Sequence, residues 1–229
     1  DLSALEVTMH YGEQTYGKTF ADIYDTWYGD LETETLDLLE DLAQGGPVLE
    51  LGIGTGRVAL PLADRGLDVT GIDASQEMLD KLRGKPGAEK VRLTLGSFAD
   101  FPDELAAERY NLIYIVFNTL FGLLTQEAQV SCFQSVTAHL TDEGRFLIEA
   151  FVPNLKRYDD GQAVRVIQLD EGQVRLDAAE LDLAAQQITS QHVHLTPDGV
   201  KLYPVKLRYA WPSELDLMAR LGHLSLDHR

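Results

Sequence analysis

Before residue 45 the apolar positions follow a helical period. Phe20, Ile23, Tyr24 and Trp27 predict a short amphipathic helix within an aromatic stretch that also holds Tyr11, Tyr16 and Tyr28. Leu36, Leu39 and Leu42 predict a second helix whose other face carries Glu32, Glu34, Asp37, Glu40 and Asp41. Gly45-Gly46-Pro47 ends it. Beyond that point helices and strands alternate. Strands are expected over 48–51, 68–72, 91–95, 110–117 and 145–151, and helices over 57–65, 76–83 and 126–140. The fourth strand is apolar on both faces, as buried parallel strands are. The order predicts an α/β fold, a doubly wound, mostly parallel sheet with helices on both faces.

The pattern changes after Pro153. Strands over 163–168, 173–177, 187–195 and 199–208 are linked by the turns Asp170-Glu171-Gly172 and Pro197-Asp198-Gly199. They predict a small antiparallel β insertion. A helix over 212–221 and a further strand over 224–227 follow. The expected division is an N-terminal helical lid and first helix (1–44), a core (45–152), the insertion (153–208), and a return to the core (209–229) that stops short of completing its last strand pair.

The length of 229 residues fits one domain with a small insertion, and 45% hydrophobic and 24% charged residues are ordinary globular usage. Nineteen Lys and Arg face 37 Asp and Glu, a net charge of -18. That balance disfavours nucleic acid and anionic membrane surfaces as partners. The single cysteine, Cys132, allows no disulfide framework or cysteine-based zinc site, and its neighbours Phe133 and Val136 predict packing. His192 and His194 share one strand face and are expected as an exposed pair, with no third metal ligand evident. Residues 1–10 lack the basic-then-apolar pattern of a signal peptide, and the apolar run 110–124 is too short to span a bilayer. A cytoplasmic protein is the expectation.

The chemistry concentrates at Glu50-Leu51-Gly52-Ile53-Gly54-Thr55-Gly56, between the first strand and a helix, with Asp73 closing the second strand. Glycines let the backbone approach a ligand, and a carboxylate at that strand end can accept both hydroxyls of a ribose. A dinucleotide fingerprint would place a third glycine where Arg57 stands, so that pattern is broken. Asp73 also has a second reading, as a helix N-cap.

The alternating glycines with an acid two residues ahead resemble motif I of class I S-adenosylmethionine (SAM)-dependent methyltransferases. Val69 to Ser75 resembles the family's second motif, Gly96-Ser97-Phe98 its adenine loop, and Asp142-Glu143-Gly144-Arg145 its turn before the fifth strand. The resemblance covers most of the chain and extends to small-molecule N-methyltransferases of antibiotic tailoring. It implies a Rossmann-like fold, SAM as cofactor and S-adenosylhomocysteine (SAH) as product. It also implies cofactor contacts from Glu50, Gly52, Gly54, Gly56, Asp73, Ala74, Met78, Ser97, Phe98 and Phe117, with Tyr16 and Tyr24 in a lid over the site. A lid tyrosine can bind the SAM carboxylate or deprotonate substrate; the alternative is an aromatic face packed on the domain. Catalysis is expected at Tyr16, Tyr24, Phe117 and Asn118, and substrate contacts at Tyr11, Tyr28, Asn118, Phe121 and Glu149. For Asn118 the alternative is a backbone-bonded turn residue, and for Glu149 a surface salt bridge.

The implied reaction is an in-line displacement at a sulfonium methyl, driven largely by proximity and orientation. The expected acceptor is a small molecule, with nitrogen favoured over oxygen. An NAD-dependent oxidoreductase and a non-catalytic SAM-fold partner protein are the competing readings. The antiparallel insertion is a candidate surface for substrate or for a homo-oligomer.

Overall fold

The computed structural model describes residues 11–29 and 31–229. Five parallel strands form the main sheet: β1 (Val48–Leu51), β2 (Val69–Asp73), β3 (Val91–Leu95), β4 (Tyr110–Ile115) and β5 (Leu140–Ile148), in the order β3-β2-β1-β4-β5. The helices between them are α3 (Thr33–Ala43), α4 (Ala59–Asp64), α5 (Gln76–Arg83) and α6 (Gln126–His139), preceded by α1 (Glu13–Phe20) and α2 (Tyr24–Tyr28). The order reverses between β1 and β4. In an open α/β sheet that reversal leaves a crevice at the carboxyl ends of the two strands.

Alternation along β4 divides the core. Leu112, Tyr114 and Val116 pack with Leu39, Leu62, Leu79 and Leu82 on one face. Ile113 and Ile115 pack with Phe121, Cys132, Phe133 and Val136 on the other. Cys132 is fully buried, and burial pushes its thiol well above the ordinary range.

Three expectations change. The aromatic N-terminal stretch is two helices, broken after Phe20, where the Ile23 N–H turns back to the Phe20 carbonyl at 2.9 Å. The break lets Phe20 enter the core while Asp22 pairs with Lys81 of α5 at 2.8 Å. β5 begins at Leu140, and the expected turn at 142–145 is an irregular part of that strand. Its register shifts between the Tyr110 and Leu112 pairings. Gly144 sits at the irregularity, where a Cβ would lie 2.9 Å from the Tyr110 carbonyl. Residues 224–227 form no strand; the chain turns there on the Leu224 N–H to Ala219 carbonyl bond, 2.8 Å.

The insertion is a separate antiparallel sheet, β6 (Gln162–Asp170), β7 (Gln173–Asp182), β8 (Gln187–Thr196) and β9 (Gly199–Arg208), in sequential order. A buried polar joint ties it to the core. Arg208 donates to Gln129 of α6 at 2.7 Å and pairs with Glu214 of α7 (Pro212–Leu221) at 2.8 Å, while the Gln129 amide donates to the Arg208 carbonyl at 2.8 Å. Each member is satisfied, which is the condition for a buried polar cluster to hold rather than weaken a fold. Among the described residues no helix is long and apolar enough to cross a membrane.

Candidate active site

The glycine loop lies at the sheet's switch point. The Gly52 and Ile53 N–H groups both donate to the Ile72 carbonyl, at 2.8 and 3.0 Å, so the chain folds sharply as β1 ends. Gly52, Gly54 and Gly56 all have positive φ, from 57° to 82°. They differ in what surrounds them. A Cβ on Gly52 would lie 2.3 Å from the Thr119 methyl, and one on Gly56 would lie 2.9 Å from Leu82. Glycine at 56 is thus required by the packing of the loop on Leu82 of α5. At Gly54 a Cβ would find nothing nearer than a carbonyl of its own loop at 4.0 Å. Gly54 is the open position, free to border a ligand.

Asp73 ties this loop to the next helix. Its Oδ2 accepts from the Gly54 N–H and its Oδ1 from the Ser75 N–H, both at 2.8 Å. Ser75, not Asp73, caps α5, accepting from the Met78 N–H at 3.3 Å. A carboxylate has about four lone-pair positions, so each oxygen keeps capacity for a hydroxyl donor. Burial raises the Asp73 pKa and its two backbone donors lower it, with burial dominant.

Beside Asp73 opens a cleft of about 510 Å³, lined by Thr15 and Lys18 of α1 and by Ala74, Leu95, Gly96 and Ser97. The Ser97 hydroxyl accepts from the Ala99 N–H at 3.2 Å. Phe98 is nearly buried, its ring edge near Gly52. Met78, expected against an adenine, is 3% exposed and packs with Phe20 under the lid. The open glycine, the carboxylate at the strand end and the flanking cleft together fit an adenosine-bearing cofactor.

Glu50 is buried below the loop. The Tyr114 hydroxyl donates to its Oε2 at 3.0 Å, the Ala59 N–H also bonds it, and Arg57 attracts it electrostatically. Burial outweighs these and raises its pKa from 4.5 to about 8. Below about pH 4.5 the folded and unfolded chains both hold this proton. As pH rises to about 8 only the unfolded chain ionises, so stability falls across that window and the loss is complete above it. Glu50→Gln is therefore expected to be more stable than the parent protein at pH 8, by about 2–4 kcal/mol, with the gain vanishing toward pH 5. Urea unfolding at pH 5, 6.5 and 8 checks this; a gain independent of pH would exclude an ionisation at Glu50.

An aromatic roof covers the end of β4. Tyr16 stacks on Phe20 at 4.3 Å and meets Tyr24 edge-on at 6.4 Å. Tyr24 and Tyr28 face Phe117 at 6.5 and 5.0 Å, and the Arg57 guanidinium lies 5.1 Å from the Phe117 ring centre. Phe117 and Asn118 are consecutive residues with positive φ, 56° and 64°. Such a pair is held only where the surroundings over-determine it. The holding contacts are the Phe117 N–H to Glu149 Oε2, 2.9 Å, and the Phe151 N–H to Asn118 Oδ1, 2.7 Å. Asn118 is thus a backbone-bonded turn residue, and Glu149 makes a backbone bond in place of a salt bridge. Phe121, expected at the substrate, is fully buried and packs edge-on against Phe151. Tyr11 lies in a second cleft of about 380 Å³ against Ser190 and Lys206 of the small sheet.

Burial raises the pKa of Tyr16 and Tyr28 and takes Tyr24 to about 12. These hydroxyls stay protonated at neutral pH. In that form they offer hydrogen-bond donors to an anionic group.

Several site-forming residues were not visible in the sequence. Asp25 accepts from the Thr55 hydroxyl at 2.5 Å and pairs with Lys85 at 2.6 Å, pinning α2 to the glycine loop. Only the tertiary fold brings these separated positions together. The histidines also differ from expectation. His192 and His194 are half-buried beneath Trp27, at ring distances of 6.4 and 5.6 Å, because α2 covers this part of the sheet. No metal-binding cluster is present among the described residues.

Residues 48–144 match the methyltransferase domain family. The structure of the CcbJ methyltransferase from Streptomyces caelestis superposes with a TM-score of 0.88, is 40% identical, and covers 95% of this chain and 90% of that one. The cypemycin N-terminal methyltransferase of a Streptomyces species is 27% identical over 184 residues, 80% of this chain and 74% of that protein. CalS10, an amino pentose methyltransferase from Micromonospora echinaspora, shares the fold at a TM-score of 0.65 and 18% identity, over 87% of each chain. An intact glycine loop braced by Asp73, on a fold shared at this level with a methyltransferase over nearly its whole length, places the chain in the SAM-dependent methyltransferase family.

Proposed function

We propose that this enzyme methylates an amine nitrogen of a small secondary metabolite. SAM supplies a methyl group on a sulfonium, which leaves as a neutral thioether. The residues of the chain bind, orient and exclude water. Asp73 accepts the ribose hydroxyls, Gly52 and Gly54 approach the methionine portion, and Ala74, Ser97 and Phe98 hold the adenine. Tyr16 and Tyr24 donate to the carboxylate, and the Phe117 carbonyl accepts from the ammonium. Residues 1–44 supply the lid and the first helix of the core, 45–152 the cofactor-binding core, 153–208 a surface for substrate or for a second copy, and 209–229 the return to the core.

The carrying observation is the chemistry around Phe117. Tyr24 and Tyr28 are held protonated there, and Arg57 lies over the ring. Neither kind of group takes a proton near neutral pH. A hydroxyl acceptor needs such a base, whereas an amine that arrives unprotonated does not. The positive charge of Arg57 favours the neutral amine. Relatives support the reading: the cypemycin methyltransferase is named for a chain N-terminus, where an amine stands, and KedS8 from a Streptoalloteichus species is named a sugar N-methyltransferase. The reading includes a cytoplasmic, freely diffusing acceptor. It also includes self-association through the small sheet, whose outer strand β6 exposes Val164 and Leu169.

Transfer of labelled methyl from SAM to a panel of cyclic secondary amines and their matched alcohols tests the reading. Amines are expected to react at least about tenfold faster, with rates rising as pH approaches the acceptor's own pKa. Transfer only to hydroxyls, or to nothing while SAM binds, would overturn it.

A further inference from the structure

The inner face of the antiparallel sheet carries a polar cluster that the cofactor site does not use. Asp177 of β7 lies directly opposite His192 of β8, and Arg175 is two residues along on the same face. Asp177 is 7% exposed. Its Oδ1 accepts no hydrogen bond, and neither the Arg175 Nε nor the His192 Nδ1 has a hydrogen-bond partner. His192 Nε2 stands 3.8 Å from Oδ1, beyond hydrogen-bond reach. Three buried polar atoms from three neighbouring side chains are thus left unsatisfied together, an arrangement that native interiors rarely tolerate without a reason.

The cluster adjoins the end of β4. Trp27 roofs it, with the Arg175 guanidinium 4.4 Å from its ring centre and His192 stacked at 6.4 Å. The next residue, Tyr28, packs on Phe117 at 5.0 Å, and its hydroxyl is close enough to feel the charges of both Arg175 and Asp177. The roof stands on α2, which is five residues long, has no fully buried residue and is held to the glycine loop through Asp25.

We propose that Asp177, Arg175 and His192 form the subsite that grips a neutral hydrogen-bonding group of the acceptor, a hydroxyl or carboxamide, away from the nitrogen that is methylated. The proposal rests on the amine-methylating reading. The charges decide the ligand class. The carboxylate of Asp177 already has Arg165 Nη2 at 4.0 Å and Arg175 beside it, so the cluster calls for no cation, and the surplus guanidinium charge of Arg175 rests on the Trp27 ring at 4.4 Å. Its vacant positions are an acceptor at Oδ1 and a donor at Nε. One group that both donates and accepts fills both. Binding energy from such a remote contact serves to orient the reacting nitrogen.

The test titrates the full chain, saturated with SAH, with piperidine and with its 3- and 4-hydroxy derivatives by calorimetry. At least one hydroxylated ring is expected to bind about tenfold or more tighter than piperidine. Asp177→Ala abolishes that difference, Asp177→Asn keeps part of it, and both leave SAH affinity within about twofold. Arg175→Met gives an independent readout if Asp177→Ala does not fold. Equal or absent binding of all the hydroxylated rings, or variants that weaken every ring alike, would overturn the proposal. Methyl transfer is assayed separately with the same rings: a hydroxyl-dependent binding difference without any transfer sinks the amine reading and leaves the subsite standing.

Discussion

Asp73→Ala is expected to weaken SAH binding by about 100-fold or more. The side chain's two oxygens hold the Gly54 and Ser75 N–H groups at 2.8 Å, and on the proposed reading their remaining lone pairs accept the ribose hydroxyls. Loss of the carboxylate removes charge-assisted bonds to ligand hydroxyls, each contributing about 1.5–3 kcal/mol. It also releases Gly54, the one loop glycine bordered by open space. About 3 kcal/mol in total corresponds to roughly 100-fold in affinity. Calorimetry with SAH measures it. A loss below about tenfold would mean that Asp73 braces the loop without touching the ligand. Asp73→Asn, which keeps one acceptor oxygen, is expected to fall between.

Gly17→Ala is expected to impair the lid while leaving the core folded. Gly17 of α1 lies so close to α5 that a Cβ would sit 2.1 Å from the Ser75 hydroxyl and 3.1 Å from Met78. Ser75 is buried and caps α5, so it has no room to swing aside. Either α1 lifts or the cap breaks at a cost of about 1 kcal/mol. Lifting α1 carries Tyr16 and Phe20 with it and opens the roof to water. The expected result is a fall in kcat/KM of about tenfold or more, since misplacement of about 1 Å can cost 100-fold. Circular dichroism should remain unchanged. Retention of full methyl transfer to whichever amine proves active would show that α1 does not close the site.

The main sheet was legible because its signals are local. Mostly apolar runs at 48–51 and 110–115, broken only by Glu50 and Asn111, mark buried parallel strands, and the glycines after β1 mark a turn that only positive φ can make. Asp73 was legible for the same reason, being the last residue of a strand next to a helix start. The rest was not legible, because its deciding contacts are distant in sequence. Gly56 looks like Gly52 and Gly54 in the chain, yet Leu82 is what it faces. Phe121 follows the site-bearing turn by three residues, yet the short helical turn there sends it inward against Phe151. Strand alternation put His192 and His194 on one face, but not beneath Trp27, which arrives from about 165 residues away along the chain.

By itself, the sequence determined the α/β class, the antiparallel insertion, the glycine loop with its acid, and the exclusion of a cysteine-built site. These follow from periodicity, backbone conformational limits and composition, which are properties of short segments. Tertiary structure alone decided which glycine stays open to a ligand, the break between α1 and α2, the latch of Asp25 on Thr55 and Lys85, and the burial of Asp177 with His192 under Trp27. Each depends on the solvent exclusion and close approach that arise when remote segments pack. Burial is what raises the pKa of Glu50 and leaves an oxygen of Asp177 without a hydrogen-bond partner.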